Sequence, residues 1–215
     1  MLAVPLSAGA GETPVGTALV LLSDVSGSID ANEYGLQRAG IEKAFRDPGV
    51  VKAIMAQPYG VLAVTLIEWS STQQVVVPWT IVHDEATANR FADAVARAQR
   101  TSEGATFIGD AITAGLAALK SCPCRPARRV IDVSGDGQSN GGRVPVDEAR
   151  DEAVAWGATV NGLAIPDPLE ANLVEHYRDH VMGGVGSFVT EAAGFDDFAR
   201  ALRRKLMLEI ADARP

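Results

Sequence analysis

The sequence predicts an α/β fold: a doubly wound, mainly parallel central sheet with one antiparallel edge strand and helices on both faces. Three observations predict it. Short, largely apolar runs at residues 18–22, 60–69 and 129–134 read as strands buried on both faces, the pattern of a parallel sheet. Segments with apolar residues at helical spacing alternate with these runs, which implies right-handed crossovers. Only Ser70, Ser71 and Thr72 separate 60–69 from the next run, 73–79, so that pair forms a hairpin. The second strand of the hairpin is then an edge, where Pro78 is tolerated.

Each element has its own signal. Asp30-x-x-Glu33 caps a helix carrying Tyr34, Ile41, Ala44 and Phe45, and Asp47-Pro48-Gly49 stops it. Asp84 caps a helix carrying Phe91, Val95 and Ala98. A glycine-framed loop, Gly104 to Asp110, enters a helix with Ile108, Ile112, Leu116 and Leu119 on one face. The strand at 129–134 ends in Gly135-Asp136-Gly137, and a helix over 145–156 is closed by Gly157. A strand follows over 158–165. Asp167-Pro168-x-Glu170 then starts a helix with Leu169, Leu173 and Tyr177 four residues apart, the proline suiting its first turn. A short strand over 186–190 precedes a last helix carrying Phe198, Leu202, Leu206 and Ile210.

No internal repeat or low-complexity linker interrupts the chain, and a single domain over 16–212 is expected. Residues 1–15 read as a lead. Their apolar start and Ala8-Gly9-Ala10 resemble the end of a signal peptide without its basic region, with the mature chain starting near Gly11. Export to the periplasm or beyond the cell is therefore the expectation. No run is long enough to span a bilayer. The net charge of −8 and the lack of a large basic cluster argue against nucleic acid or an anionic membrane as partner. Cys122 and Cys124 are too few for a disulfide framework and make a poor zinc site; a tight disulfide and two loop thiols both fit.

The chemistry concentrates in Asp24-Val25-Ser26-Gly27-Ser28, between the first strand and the first helix. In open α/β sheets ligands bind at that carboxyl end. Carboxylate and hydroxyl oxygens crowded into one loop suit a hard divalent cation; the same residues could also cap the helix and bond their own loop. Two further loops on the same rim offer oxygens, Thr106 and Asp136.

This combination resembles the metal-ion-dependent adhesion site (MIDAS) of von Willebrand factor A (vWA) domains: Asp-x-Ser-x-Ser after the first strand, a threonine in a glycine-rich loop, and Asp-Gly after the fourth strand. The stretches 129–137, 77–79 and 181–188 look like a bacterial A-domain family of uncharacterised function, typically predicted to be exported. The resemblance implies that Ser26 and Ser28 coordinate Mg²⁺ through their hydroxyls, with Mn²⁺ or Ca²⁺ able to substitute. It implies that Asp24 and Asp136 hold the ion mainly through water, and Thr106 directly or through water. The open coordination position would take an Asp or Glu carboxylate of a partner protein, which makes the chain a protein-binding module and not an enzyme. Loops 70–74 and 138–143 would set specificity. Asp24 and Asp136 are expected at a solvent-facing rim, and Asp132 is expected to point elsewhere, towards a neighbouring loop.

Two other readings fit parts of the chain. Gly137-Gln138-Ser139-Asn140-Gly141 satisfies G-x-S-x-G, with Asp167 and His176 following in the order of a serine hydrolase. A structural or assembly protein of the same fold needs no acidic ligand. His176 and His180, four residues apart, have zinc-compatible spacing without a zincin pattern and read as solvent-facing, while His83 precedes a helix cap. Trp69, Trp79 and Trp156 read as packing at strand ends and a helix end.

Overall fold

The computed structural model describes residues 12–166 and 172–211. The lead sequence up to Gly11 and the helix start at Asp167 and Leu169 lie outside the described residues. Six strands form one sheet: β1 (Thr13–Asp24), β2 (Leu62–Trp69), β3 (Gln73–Val82), β4 (Cys124–Gly135), β5 (Thr159–Ala164) and β6 (Val189–Glu191). Their order is β3-β2-β1-β4-β5-β6. Every neighbouring pair is parallel except β2 and β3. The predicted sheet, including its antiparallel edge, is the observed one. Pro78 and Trp79 lie opposite the single residue Thr65, between the Val64–Thr80 and Leu66–Val77 pairs, so the proline falls in a bulge where the ladder is interrupted.

The helices are α1 (Ala31–Arg46), α2 (Pro48–Ala56), α3 (Glu85–Arg97), α4 (Ile108–Lys120), α5 (Val146–Ala155), α6 (Leu173–His176, continuing as a π turn over Tyr177–Val181) and α7 (Phe198–Ala211). Side chains alternate along β1. Leu19 and Leu21 join Phe45, Phe91, Phe198 and Leu202 on one face, while Val20 and Leu22 join Ile112, Leu116, Ala153 and Tyr177 on the other. The run 18–22 of β1 is apolar because both faces of the strand meet helices.

Asp30 builds the predicted capping box, accepting from Asn32 N and Glu33 N while Glu33 Oε2 accepts from Asp30 N. Asp47-Pro48-Gly49 does stop α1, but it also starts α2, a helix the sequence reading missed. Asp47 Oδ1 accepts from Gly49 N and Val50 N, Pro48 occupies the first turn, and Val50, Val51 and Ile54 are buried. β4 begins at Cys124, ahead of the expected 129, and Cys122 and Cys124 form a buried disulfide. Trp69 is wholly buried at the end of β2, whereas Trp156 is 39% exposed beneath the Arg129 guanidinium.

Asp132 does point away from the candidate site, but its partner is a helix and not a loop. Lys205 Nζ of α7 stands 2.7 Å from Asp132 Oδ1 and also pairs with Glu209, one turn further on. Glu209 Oε1 accepts from Asn161 Nδ2 at 2.8 Å. All four side chains are buried. Two carboxylates thus share one ammonium in a dry interior. Desolvation, then the charge of Glu209, push Asp132 up to about 7 against the pull of Lys205. Because its folded value lies above the ordinary carboxylate value, the charged form costs stability. That cost is absent at low pH and grows as pH rises through about 7. Asp132→Asn should therefore shrink the loss of stability between about pH 5 and about pH 8. Urea midpoints of both proteins at both pH values test this, and an unchanged difference would contradict it.

Candidate metal centre

In-register pairing of β1 with β2 and β4 brings their carboxyl ends level, Asp24 opposite Trp69 and Ser23 opposite Ser134. The chain leaves β1 in a tight turn. Ser26 N donates to Asp24 Oδ1 at 2.7 Å, an Asx turn of the kind aspartate favours. That turn aims two hydroxyls the same way, with Ser26 Oγ 3.3 Å from Ser28 Oγ. Ser28 Oγ in turn donates to Asp136 Oδ1 at 2.8 Å, which closes the gap between the β1 and β4 loops.

Thr106 joins from the loop before α4. Gly27 N donates to Gly104 O at 2.8 Å, stitching that loop to the serine turn. Thr106 N donates to Asn140 Oδ1 and Asn140 N to Thr106 O, stitching it to the loop after Asp136. Asn140 Nδ2 lies 3.5 Å from Thr106 Oγ1. The structure thus links Asp24, Ser26, Ser28 and Asp136 by direct contacts or shared charge and sets Thr106 beside them through main-chain bonds.

The expected solvent-facing rim needs correction. Asp24 is 0% exposed, Ser26 1%, Thr106 5% and Asp136 6%. Of the serine turn, only Gly27 and Ser28 face solvent. Burial raises Asp24 to about 7; hydrogen bonds from Ser26 and, more weakly, from the Asp136 main chain oppose this, and the charge of Asp136 adds to it. Asp24 Oδ2 is buried with no hydrogen-bond partner among the described residues.

A divalent cation would relieve the repulsion between the Asp24 and Asp136 charges. Among the described residues no three His, Cys, Asp or Glu side chains gather as a metal cluster. The donor set is instead two carboxylates and three hydroxyls, all hard oxygen, which fits a weakly neutralised ion that keeps waters, as Mg²⁺ does.

A sequence family described as "Protein of unknown function (DUF1194)" matches residues 14–214. The chain belongs to that family. Among curated proteins none matches this DUF1194 chain in sequence. Solved structures do match its fold. Proximal thread matrix protein 1 from the mussel byssus has a TM-score of 0.68 at 16% identity, over 93% of this chain and 49% of that one. The same mussel protein with a zinc-occupied MIDAS motif scores 0.65 at 16% identity, again over 93% and 49%. A von Willebrand factor type A protein from Catenulispora acidiphila scores 0.60 at 14% identity, over 94% and 43%. The DUF1194 chain has the vWA fold, and it spans about half the length of the solved chains it matches.

Several residues around the centre were not singled out in the sequence. Glu68, buried at the end of β2, accepts from Tyr34 Oη at 2.9 Å and from Thr101 N and Oγ1 at 2.8 Å, and pairs with Arg38 at 3.1 Å. Arg100 Nη2 donates to Val25 O at 2.9 Å and Ser26 O at 3.0 Å. These groups hold the α3–α4 loop and the serine turn as one body. A charge inside the apolar run of β2 was the only signal for Glu68; nothing in the pattern marks Arg100. Among the other residues weighed, His180 is exposed against Asp147, and His176 is half-buried beside it.

Removing Glu68 would strand the buried Arg38 guanidinium and free two donors of Thr101. Glu68→Ala should lower the unfolding free energy by about 3–5 kcal/mol. Equilibrium urea denaturation measures this, and a loss below about 1 kcal/mol would contradict the brace.

Proposed function

We propose that this DUF1194 chain is a non-enzymatic, protein-binding module that works through one divalent cation. Asp24, Ser26, Ser28, Thr106 and Asp136 would hold the ion, Mg²⁺ in the first instance, with Mn²⁺ or Ca²⁺ as substitutes. The ion supplies a Lewis-acidic position that an Asp or Glu of a partner protein completes. One observation carries the reading: the Ser26 hydroxyl contacts that of Ser28, which bonds Asp136, beside the buried Asp24 carboxylate. So few charged groups around the ion leave it able to attract an outside carboxylate. The mussel protein with a zinc-occupied MIDAS motif supports the reading through its fold.

Export is part of the proposal, and the Cys122–Cys124 disulfide supports it. No helix among the described residues is long and apolar enough to cross a membrane. The hydrolase reading has weaker support. Ser139 stands beyond the end of β4 at Gly135, and its hydroxyl donates to Thr106 O and Gly141 O at 3.2 Å. A nucleophile needs a general base at that oxygen instead.

Calorimetric titration of chelator-stripped protein with Mg²⁺ and with Mn²⁺, alongside Ser26→Ala, tests the proposal. One-site binding that the variant loses is expected. A native protein that takes up no metal at millimolar concentration, on the order of the weakest biological sites, would contradict it.

A further inference from the structure

Behind the candidate ligands lies a cluster that the metal reading does not use. The π turn delivers Tyr177, wholly buried, to the sheet face that also carries Asp24 and Trp69. Three polar atoms meet there without a hydrogen-bond partner among the described residues: Asp24 Oδ2, Tyr177 Oη and Trp69 Nε1. Gly135 locates them. A Cβ built on Gly135 would stand 2.7 Å from Asp24 Oδ2, 2.7 Å from Tyr177 Oη and 3.2 Å from Trp69 Cζ2, the ring atom next to the indole nitrogen-bearing carbon. Asp24 and Trp69 are also register partners across β1 and β2.

The chemistry of the three atoms is complementary. A carboxylate oxygen only accepts, an indole N–H only donates, and a neutral phenol does either. Three idle groups of this kind in one dry pocket cost stability unless they meet each other or share a water. Glycine is required at 135 because any side chain would fill the space they need.

We propose that Tyr177, with Trp69, is a positioning residue for the metal centre: its hydroxyl and the indole N–H donate to Asp24 Oδ2, directly or through one buried water, and orient that carboxylate from behind. This rests on the metal reading above. Partners of this outer kind typically change metal affinity by about 10–100-fold when removed. The arrangement also ties the π turn after β5 mechanically to a candidate ligand at the end of β1.

The test uses the whole chain with Tyr177→Phe, which keeps the ring and removes the hydroxyl, and Trp69→Phe as a second variant. In metal-free protein, urea midpoints of Tyr177→Phe, Asp24→Asn and the double variant form a cycle that needs no cation. The effects are expected to be non-additive, with Tyr177→Phe nearly silent once Asp24 is neutral and uncharged; additive effects would overturn the proposal. In the second measurement, calorimetry with Mn²⁺ at a temperature where both proteins are fully folded, Tyr177→Phe should bind about tenfold more weakly than native protein. Native-like Mn²⁺ affinity in Tyr177→Phe would overturn it. A native protein that binds no Mn²⁺ would end the metal reading, and the metal-free cycle would still decide whether Tyr177 acts on Asp24. If Tyr177→Phe does not fold, Trp69→Phe is read in the same two measurements by the same criteria.

Discussion

The burial of the Asp24 carboxylate is the constraint on which the rest of this structure turns. A strand that is apolar on both faces ends in an acid with no exposed surface, and its carboxylate is raised to about 7 by desolvation and by Asp136. An unrelieved charge there is a standing cost of folding. The surrounding architecture can be understood as a response to it: one oxygen is matched by the Ser26 amide, and hydroxyls and a second acid are gathered alongside. In the proposed function, a cation completes that response and converts a folding cost into a binding site.

Precision at such a site comes from groups that never touch the ion. Glu68 gathers Tyr34, Arg38 and Thr101, while Arg100 grips the carbonyls of Val25 and Ser26. Asn140 fixes Thr106 from the other side. The serine turn is thus clamped by backbone as well as side-chain bonds, which suits a centre whose donors are mostly neutral hydroxyls with weak individual preference. On the opposite face, the Asp132–Lys205–Glu209 group serves a different end, fixing α7 against β4 and β5 through paired buried charges. Asp24 and Asp132 are therefore both raised first by desolvation and further by a neighbouring acid, Asp136 in one case and Glu209 in the other, but only Asp132 also has an ammonium, Lys205, to oppose the shift.

Much of this was legible in the chain. The apolar runs fixed the strands, the brevity of Ser70 to Thr72 fixed the antiparallel edge, and the oxygen-rich loops at 24–28, 106 and 136 were visible as a set because the fold puts strand ends on one rim. What was not legible depended on contacts distant in sequence or on signals with two meanings. Asp47-Pro48-Gly49 reads as a stop, yet the same residues cap and start α2. The rim rule placed Asp24 in solvent, whereas it is wholly buried, its Oδ2 on the side of Gly135 that Tyr177 and Trp69 also reach. Tyr177 was visible as part of an apolar stripe with Leu173, but no periodicity announces that its hydroxyl arrives beside Asp24. Nothing in the helix pattern marks Lys205, whose buried ammonium pairs with Asp132 from a distant strand.

The central claim is that a cation sits among these particular oxygens. Anomalous diffraction from crystals of the native chain grown with Mn²⁺ locates such an ion directly, without reference to affinity or partner. The account predicts a single strong peak in bonding contact with Ser26 Oγ and Ser28 Oγ and facing Asp24, Thr106 and Asp136. A peak elsewhere, with the serine pair still bonded to Asp136 as it is here, would contradict it.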